Sequence, residues 1–159
     1  AVLGMTPAIV QARRAGIRYE IHQYEHEADA AFGTEAAQKL GVEPARVFKT
    51  LIAQLDTGKL VVAIVPVAAQ VDLKALAAAA QAKRAELAAR ELAEKTTGYV
   101  VGGISPLGQR KKLLTLIDES ALRWPTMYVS AGRRGLEIEL APTDLAALCE
   151  ARIARIARF

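Results

Sequence analysis

Apolar positions in this chain recur with two periods. From Ile17 to His26 they alternate, with Ile17, Tyr19, Ile21 and Gln23 on one side and Arg18, Glu20, His22 and Tyr24 on the other. That is the period of a half-buried strand. Val47 to Leu55 and Lys59 to Val67 are two apolar runs joined by Asp56-Thr57-Gly58, which predicts a hairpin. Further strands are predicted at Tyr99–Val101, Leu113–Ile117, Thr126–Ser130 and Leu136–Leu140, with a basic turn over Ala131–Gly135. Helical spacing appears elsewhere. Thr6-Pro7 pairs a hydroxyl cap with a proline at the first helical position and opens a helix that stops at Gly16. Thr34-Glu35 opens a second helix, Glu35–Leu40, ended by Gly41, after a polar loop from Glu27 to Gly33 that carries Phe32. Asp72 caps a third through Leu73, Leu76 and Ala79. A fourth runs from Glu86 or Ala88 to Lys95 with Leu87, Ala88 and Leu92 turned inward, and a fifth from Pro142-Thr143 to Cys149. Asp118 to Leu122 reads as a turn or short helix. Arg152, Arg155 and Arg158 stand three apart, a spacing that places them on one helical face. Helices and strands mix without a βαβ rhythm, so the expected class is α+β with a mixed, mostly antiparallel sheet. The 159 residues suit one domain, 1–159.

One position breaks the apolar pattern. Val47-Phe48-Lys49-Thr50-Leu51-Ile52 reads as a buried strand with an ammonium near its start. Burying an unpaired ammonium costs several kcal/mol, so Lys49 either snorkels to water along its stem or meets an anionic ligand. Composition bears on the choice only weakly. The chain has a formal net charge of +4 and a pI near 9.4, which favours polyanionic partners such as tRNA or DNA. Cys149 is the one cysteine, so no intramolecular disulfide can form, in keeping with a reducing cytoplasm. The longest apolar run, Leu60 to Ala69, is broken by Pro66 and is too short to span a bilayer. Ala1 to Thr6 lacks the basic-then-apolar order of a signal peptide.

Several patterns suggest chemistry and then lose it. His22-Gln23-Tyr24-Glu25-His26 matches H-x-x-E-H, a zinc-hydrolase pattern that requires a helix. On a strand the two imidazoles stand about 13 Å apart, and polar residues on an open strand face are expected instead. Gly103-Ile104-Ser105-Pro106-Leu107-Gly108 nearly matches the nucleophile elbow. The elbow needs an N–H directly after its serine, and proline has none. The glycine-rich loop is either a tight turn or a set of backbone donors for an anion or carbonyl. Cys149 shares a helix face with Leu145 and Leu148 and reads as a structural thiol. Lys83-Arg84, Arg110-Lys111-Lys112, Arg133-Arg134 and the tail are basic clusters that read singly as solvated surface, and together as a grip on folded RNA phosphates.

Taken together, a set of segments resembles a known family. They are Tyr24-Glu25-His26, Phe32-Gly33, Val47-Phe48-Lys49-Thr50-Leu51, Thr97-Gly98-Tyr99, Gly102 to Gly108, Tyr128-Val129-Ser130, and Arg134-Gly135-Leu136 before Ile138-Glu139-Leu140. From about Thr6 to the C-terminus the chain resembles the YbaK family of free-standing Cys-tRNA(Pro) deacylases, in the superfamily of prolyl-tRNA synthetase editing domains. The resemblance implies a barrel-like sheet with surrounding helices and trans-editing of cysteine attached to tRNA(Pro). Prolyl-tRNA synthetase excludes cysteine poorly because the side chains are similar in size. It implies that Lys49 is the residue most tied to activity, holding the phosphate or ribose of the terminal adenosine. It further implies no protein nucleophile, no metal and no cofactor: the substrate's thiol attacks its own ester. Tyr24, Phe32, Thr50, Ile104, Ser130 and Glu137 would line the substrate pocket, and Gly102 and Gly103 would face the oxyanion. The implied partners are mischarged tRNA(Pro) and prolyl-tRNA synthetase in a transient ternary complex, with no membrane or DNA, in the cytoplasm. The chain departs from the family's usual residues at Thr96 (serine), Ala131 (glycine) and Glu137 (aspartate). The last two bear on amino-acid preference, with alanine-clearing relatives as the nearest alternative and a non-catalytic tRNA- or synthetase-binding module as another.

Overall fold

The computed structural model describes residues 5–159 except Asp29, and Phe32 through its backbone only, so the reading of the first four residues lies outside it. Helix α1 (Pro7–Ala15) begins where the hydroxyl–proline pair predicts: Thr6 Oγ1 accepts from Ile9 N–H, and Gly16 ends the helix with a left-handed φ of 68°. Strand β1 (Tyr19–Gln23) is shorter than the alternating pattern; the bond from Tyr24 N–H to Gly135 C=O carries its register with the Leu136–Leu140 strand one residue further, to the turn where that strand begins. Helix α2 (Phe32–Leu40) starts at an Ala31 cap, not at Thr34, so Phe32 and Gly33 belong to its first turn and not to a loop.

The hairpin forms as expected from β2 (Phe48–Leu55) and β3 (Leu60–Pro66). A short β4 (Gln70–Val71) precedes α3 (Leu73–Ala79), which Asp72 caps through Ala75 N–H. The next segment corrects the sequence reading. Ala85–Leu87 is a strand, β5, and the helix α4 begins only at Arg90, running to Thr97. Ala53 to Leu55 offer a free ladder edge that Ala85 to Leu87 take, which outweighs the helical preference of an Ala/Glu/Leu stretch. Leu87 is accordingly 53% exposed and not turned inward. Tyr99–Val101 is irregular and not a strand. Strand β6 (Leu114–Asp118) leads into a 3-10 turn over Glu119–Arg123. Strands β7 (Met127–Arg133) and β8 (Leu136–Leu140) form a hairpin with a bulge between Ser130 and Arg133, so most of the predicted basic turn is strand. Helix α5 spans Pro142–Cys149. The arginine-rich tail is not helical: it forms β9 (Arg152–Ala154) and β10 (Ala157–Arg158). Pairing with β6 and β4, and Asp118 Oδ1 accepting from Ile156 and Ala157 N–H, hold it there.

The strands form three sheets, ordered β1-β8-β7, β5-β2-β3-β6-β9 and β10-β4. The contacts β3–β6 and β6–β9 are parallel and the other ladders antiparallel. Among the described residues the two larger sheets meet at a single parallel bridge, between Val47 and Tyr128. The arrangement is barrel-like only in that loose sense, since no closed barrel forms.

Strand β8 shows how this placement serves a site. Leu136, Ile138 and Leu140 enter the main core with Met127, Val129 and Leu145. The alternate residues Glu137 and Glu139 stand on the opposite face with Ser130 and Tyr128, their ladder partners. A smaller cluster of Ala36, Ala37, Val47 and Tyr128 packs α2 over that polar face. No helix among the described residues is long and apolar enough to cross a membrane.

Candidate active site

Between α2, β2, the start of α4 and the glycine-rich loop lies a cavity of about 480 Å³, within the usual range for small-molecule sites. Lys49, Thr50, Tyr24, Gly102, Ile104, Ser130 and Glu137 all line it. Residues from five separated segments thus converge on one space. Of the expected set, Gly103 does not line it, and the Phe32 side chain lies outside the described structure.

The cavity owes its existence to a gap in pairing along β2. Val67 N–H donates to Val47 C=O, and Leu55 N–H to Lys59 C=O. The odd-numbered residues of β2 therefore bond to β3, and the even-numbered ones turn their backbone groups to the other edge. On that edge Gln54 pairs with Glu86, and Ile52 C=O accepts from Ala88 N–H at 2.9 Å. Beyond Ile52 the neighbouring chain turns into α4, and the edge is next met at the Val47–Tyr128 bridge. The stretch between is open, and the cavity lies against it.

Burial acts on the titratable lining in opposite senses. It lowers the Lys49 ammonium from its ordinary value and raises Glu137 to about 8. Both shifts favour the neutral form. Glu137 is 6% exposed and, among the described residues, its carboxyl has no hydrogen-bond partner. Tyr24 is pushed up to about 12, first by burial and then by Glu137. Thr50 Oγ1 is buried without a partner, while Ser130 Oγ accepts from Gly132 N–H at 3.2 Å. The α2 wall is clamped from outside. Arg134 donates to the carbonyls of Glu27 and Ala30 and to Glu35 Oε1, and Glu35 Oε2 accepts from Glu27 N–H at 2.7 Å. The guanidinium and that N–H hold the Glu35 carboxyl below its usual range, against the burial that raises it.

The glycine-rich loop divides its labour. Gly103 N–H is already donated to Val100 C=O at 2.8 Å, and a Cβ there would stand 2.5 Å from Arg133 Cα. Gly103 therefore permits a close backbone crossing and offers no oxyanion donor, contrary to expectation. Gly102, with φ 96°, lines the cavity, and among the described residues its N–H carries no hydrogen bond. Ser105 is fully buried, with its Oγ accepting from Leu107 N–H, as befits a turn and not a nucleophile. Cys149 Sγ donates to Pro106 C=O, and burial raises the thiol to about 12. It sits in a different groove, away from the Lys49 cavity.

His22 and His26 do not converge. His22 Nε2 lies 2.8 Å from Glu139 Oε1, while His26 is exposed beyond the end of β1. Glu20, His22 and Glu139 are close enough to be weighed as cation ligands. Glu139 is however already engaged by the Thr126 hydroxyl at 2.6 Å and by Arg46 at 3.5 Å. Arg46 also lies over the rings of Trp124 and Tyr128. The donor set is that of a satisfied surface network, not of a metal centre. Sequence reasoning missed Arg90, Ala93 and Leu87 as cavity lining, because the strand–helix switch at Leu87–Arg90 has no glycine or proline to mark it. It also missed the Arg134–Glu35 clamp, whose partners are 99 residues apart.

Residues 26–148 match the model of the aminoacyl-tRNA editing domain. The chain is 35% identical over 151 residues to EbsC of Enterococcus faecalis, which carries the provisional name Cys-tRNA(Pro)/Cys-tRNA(Cys) deacylase; the match covers 95% of this chain and 92% of that one. Two solved structures share the fold. One is the hypothetical protein APE2540, with a TM-score of 0.87, 22% identity and coverage of 96% and 100% of the two chains. The other is described provisionally as a trans-editing enzyme for prolyl-tRNA synthetase, with a TM-score of 0.81, 21% identity and coverage of 98% and 100%.

Proposed function

The chain belongs to the aminoacyl-tRNA editing domain family, and we propose that it is a trans-acting deacylase that removes cysteine from mischarged tRNA(Pro). The observation that carries the reading is the likeness to EbsC over nearly the full length of both chains. The convergence of Lys49, Thr50, Gly102, Ser130 and Glu137 on one cavity is what such a reaction needs.

In this reading the aminoacyl ester enters the cavity and the terminal nucleotide stays at its mouth. Lys49 anchors the phosphate or ribose of the terminal adenosine. An anion favours the charged form that burial disfavours, so binding and protonation reinforce one another. The substrate thiol attacks the ester carbonyl: a carbon–sulfur bond forms, the ester carbon–oxygen bond breaks, and the thiol proton ends on the ribose oxygen. The products are a thiolactone, which water opens to cysteine, and free tRNA. Holding sulfur and carbonyl together is the main contribution. Gly102 N–H is the loop's donor to the developing oxyanion. Tyr24, Ser130, Ile104 and Glu137 bound a space for a small side chain. The Phe32 side chain stays an expectation. The chain acts as one editing unit in the cytoplasm, with tRNA identity supplied by prolyl-tRNA synthetase in a transient complex.

The test is release of labelled cysteine from Cys-tRNA(Pro) at micromolar protein. A rate no faster than spontaneous hydrolysis overturns the reading. Lys49→Ala is expected to lower kcat/KM at least tenfold, whereas Cys149→Ala should fall within twofold of wild type. Serine-charged tRNA should be cleared far more slowly than cysteine-charged, since a hydroxyl is the poorer nucleophile. Equal rates on the two would exclude thiol attack.

A further inference from the structure

The open stretch of β2 has a defined register. The ladder with β5 runs Leu55–Ala85, Gln54–Glu86 and Ala53–Leu87, and the bond from Ala88 N–H to Ile52 C=O extends it. Continued by two residues, it would set residue 90 opposite Thr50. At that point the chain departs: Ala89 caps α4 and Arg90 is its first residue. Thr50 therefore directs both its N–H and its C=O to the cavity side, where no ladder pairs them among the described residues; β7 meets the same edge at the Val47–Tyr128 bridge. Buried backbone groups in native proteins are almost always paired, so a partner that comes and goes is the natural occupant. Two independent features point the same way. Thr50 Oγ1 is buried without a partner, and Glu137 presents a carboxyl, 6% exposed and equally unpartnered, to the same cavity.

An α-amino acid ester has the bonding pattern of one strand residue. It carries donors on its α-nitrogen and an acceptor on its carbonyl, on either side of a single Cα. A hydrogen-bonded antiparallel pair exchanges this donor and acceptor with the residue opposite. Resting on the deacylase reading, we propose that Thr50 binds the aminoacyl group of the charged tRNA as the missing strand residue: its C=O accepts from the α-ammonium and its N–H donates to the ester carbonyl. The geometry has two consequences. Paired residues project their side chains to the same face, so the substrate side chain lies beside that of Thr50, on the face of Phe48 and Ile52 and near Ala93 and Ile104. Those residues crowd the space and favour a small side chain. The Thr50 N–H also points at the carbonyl oxygen as it gains charge, which makes it a catalytic donor alongside Gly102.

The experiment compares Thr50→Pro with Thr50→Val on Cys-tRNA(Pro). Proline removes the N–H but leaves the β3 ladder intact, because that N–H faces away from β3. Valine removes only the hydroxyl. Thr50→Pro should lose about 100-fold or more in single-turnover rate, and Thr50→Val less than about tenfold. Equal losses in the two variants, or a proline variant within threefold of wild type, overturn the proposal. Thermal melts report whether the proline variant folds. Independently of any variant, the Thr50 amide resonance of the wild-type protein should move downfield on addition of 3′-seryl-amino-3′-deoxyadenosine, a stable amide analogue of the substrate end. An unmoved resonance at saturation overturns the proposal as well. Wild-type protein that leaves Cys-tRNA(Pro) intact sinks the deacylase reading and this inference with it. Active wild type with an indifferent Thr50 N–H sinks only the inference.

Discussion

At the scale of single residues, the site is built from polar groups that the fold leaves unsatisfied. Glu137 has the clearest thermodynamic consequence. Its folded-state value of about 8 lies above the ordinary glutamate value of 4.5, so the fold favours its protonated form. That preference is fully present below about pH 4.5 and is lost as pH rises through about 8. Above that, the protein holds an uncompensated buried carboxylate. Glu137→Gln cannot ionise, so the melting temperature of the variant should exceed that of wild type by clearly more at pH 9 than at pH 5. An equal difference at both pH values, read by calorimetry, would contradict the burial argument. Lys49 was conspicuous in the sequence because it is charged where its neighbours are apolar. Glu137 was not, since Leu136 to Leu140 alternates like any strand with one polar face. Its burial comes from what packs over that face: Glu137 is 6% exposed and shares its cavity with residues of α2, β2 and the glycine-rich loop.

At the scale of elements, α2 and its seat on Val67, just past the end of β3, define one wall of the cavity. Gly33 lies in the first turn of α2, where alanine is favoured over glycine by up to about 1 kcal/mol, the helix-interior figure. Yet a Cβ there would stand 2.2 Å from Val67 Cγ1, and the branched valine has little freedom to yield. Gly33→Ala should therefore destabilise the protein by about 1–3 kcal/mol in denaturant unfolding, despite its better helix propensity. Adding Val67→Ala should recover part of that loss, a coupling the double-mutant cycle measures. Additive losses would show that the two positions do not meet. Helix starts marked by side-chain caps, at Thr6 and Asp72, were legible in the sequence, as was the β2–β3 hairpin with its Asp-Thr-Gly turn. Elements decided by distant partners were not. The β5 segment and the arginine-rich tail carry helix-compatible residues, and they become strands because β2, β6 and β4 have edges to fill.

At the scale of the whole molecule, the sequence conveyed the class and the convergence of the site but not how the sheets divide. Periodicity reports which face of a strand is buried, not which strand lies beside it, so the three sheets and their parallel contacts emerge only from the assembled chain. The glycine-rich loop was legible as special, while the roles of its members depended on long-range contact: Gly103 is committed to the crossing with Arg133, and Gly102 and Ile104 face the cavity. The open edge at Thr50 has a consequence for solubility. An unpaired strand edge is ordinarily a template for association with other chains. Here it is recessed behind α2 and the start of α4, so a single residue-sized group can enter while a second protein's strand cannot. Recession thus separates two properties that surface edges combine: the molecule keeps unladdered backbone groups on a strand edge without presenting a seed for aggregation.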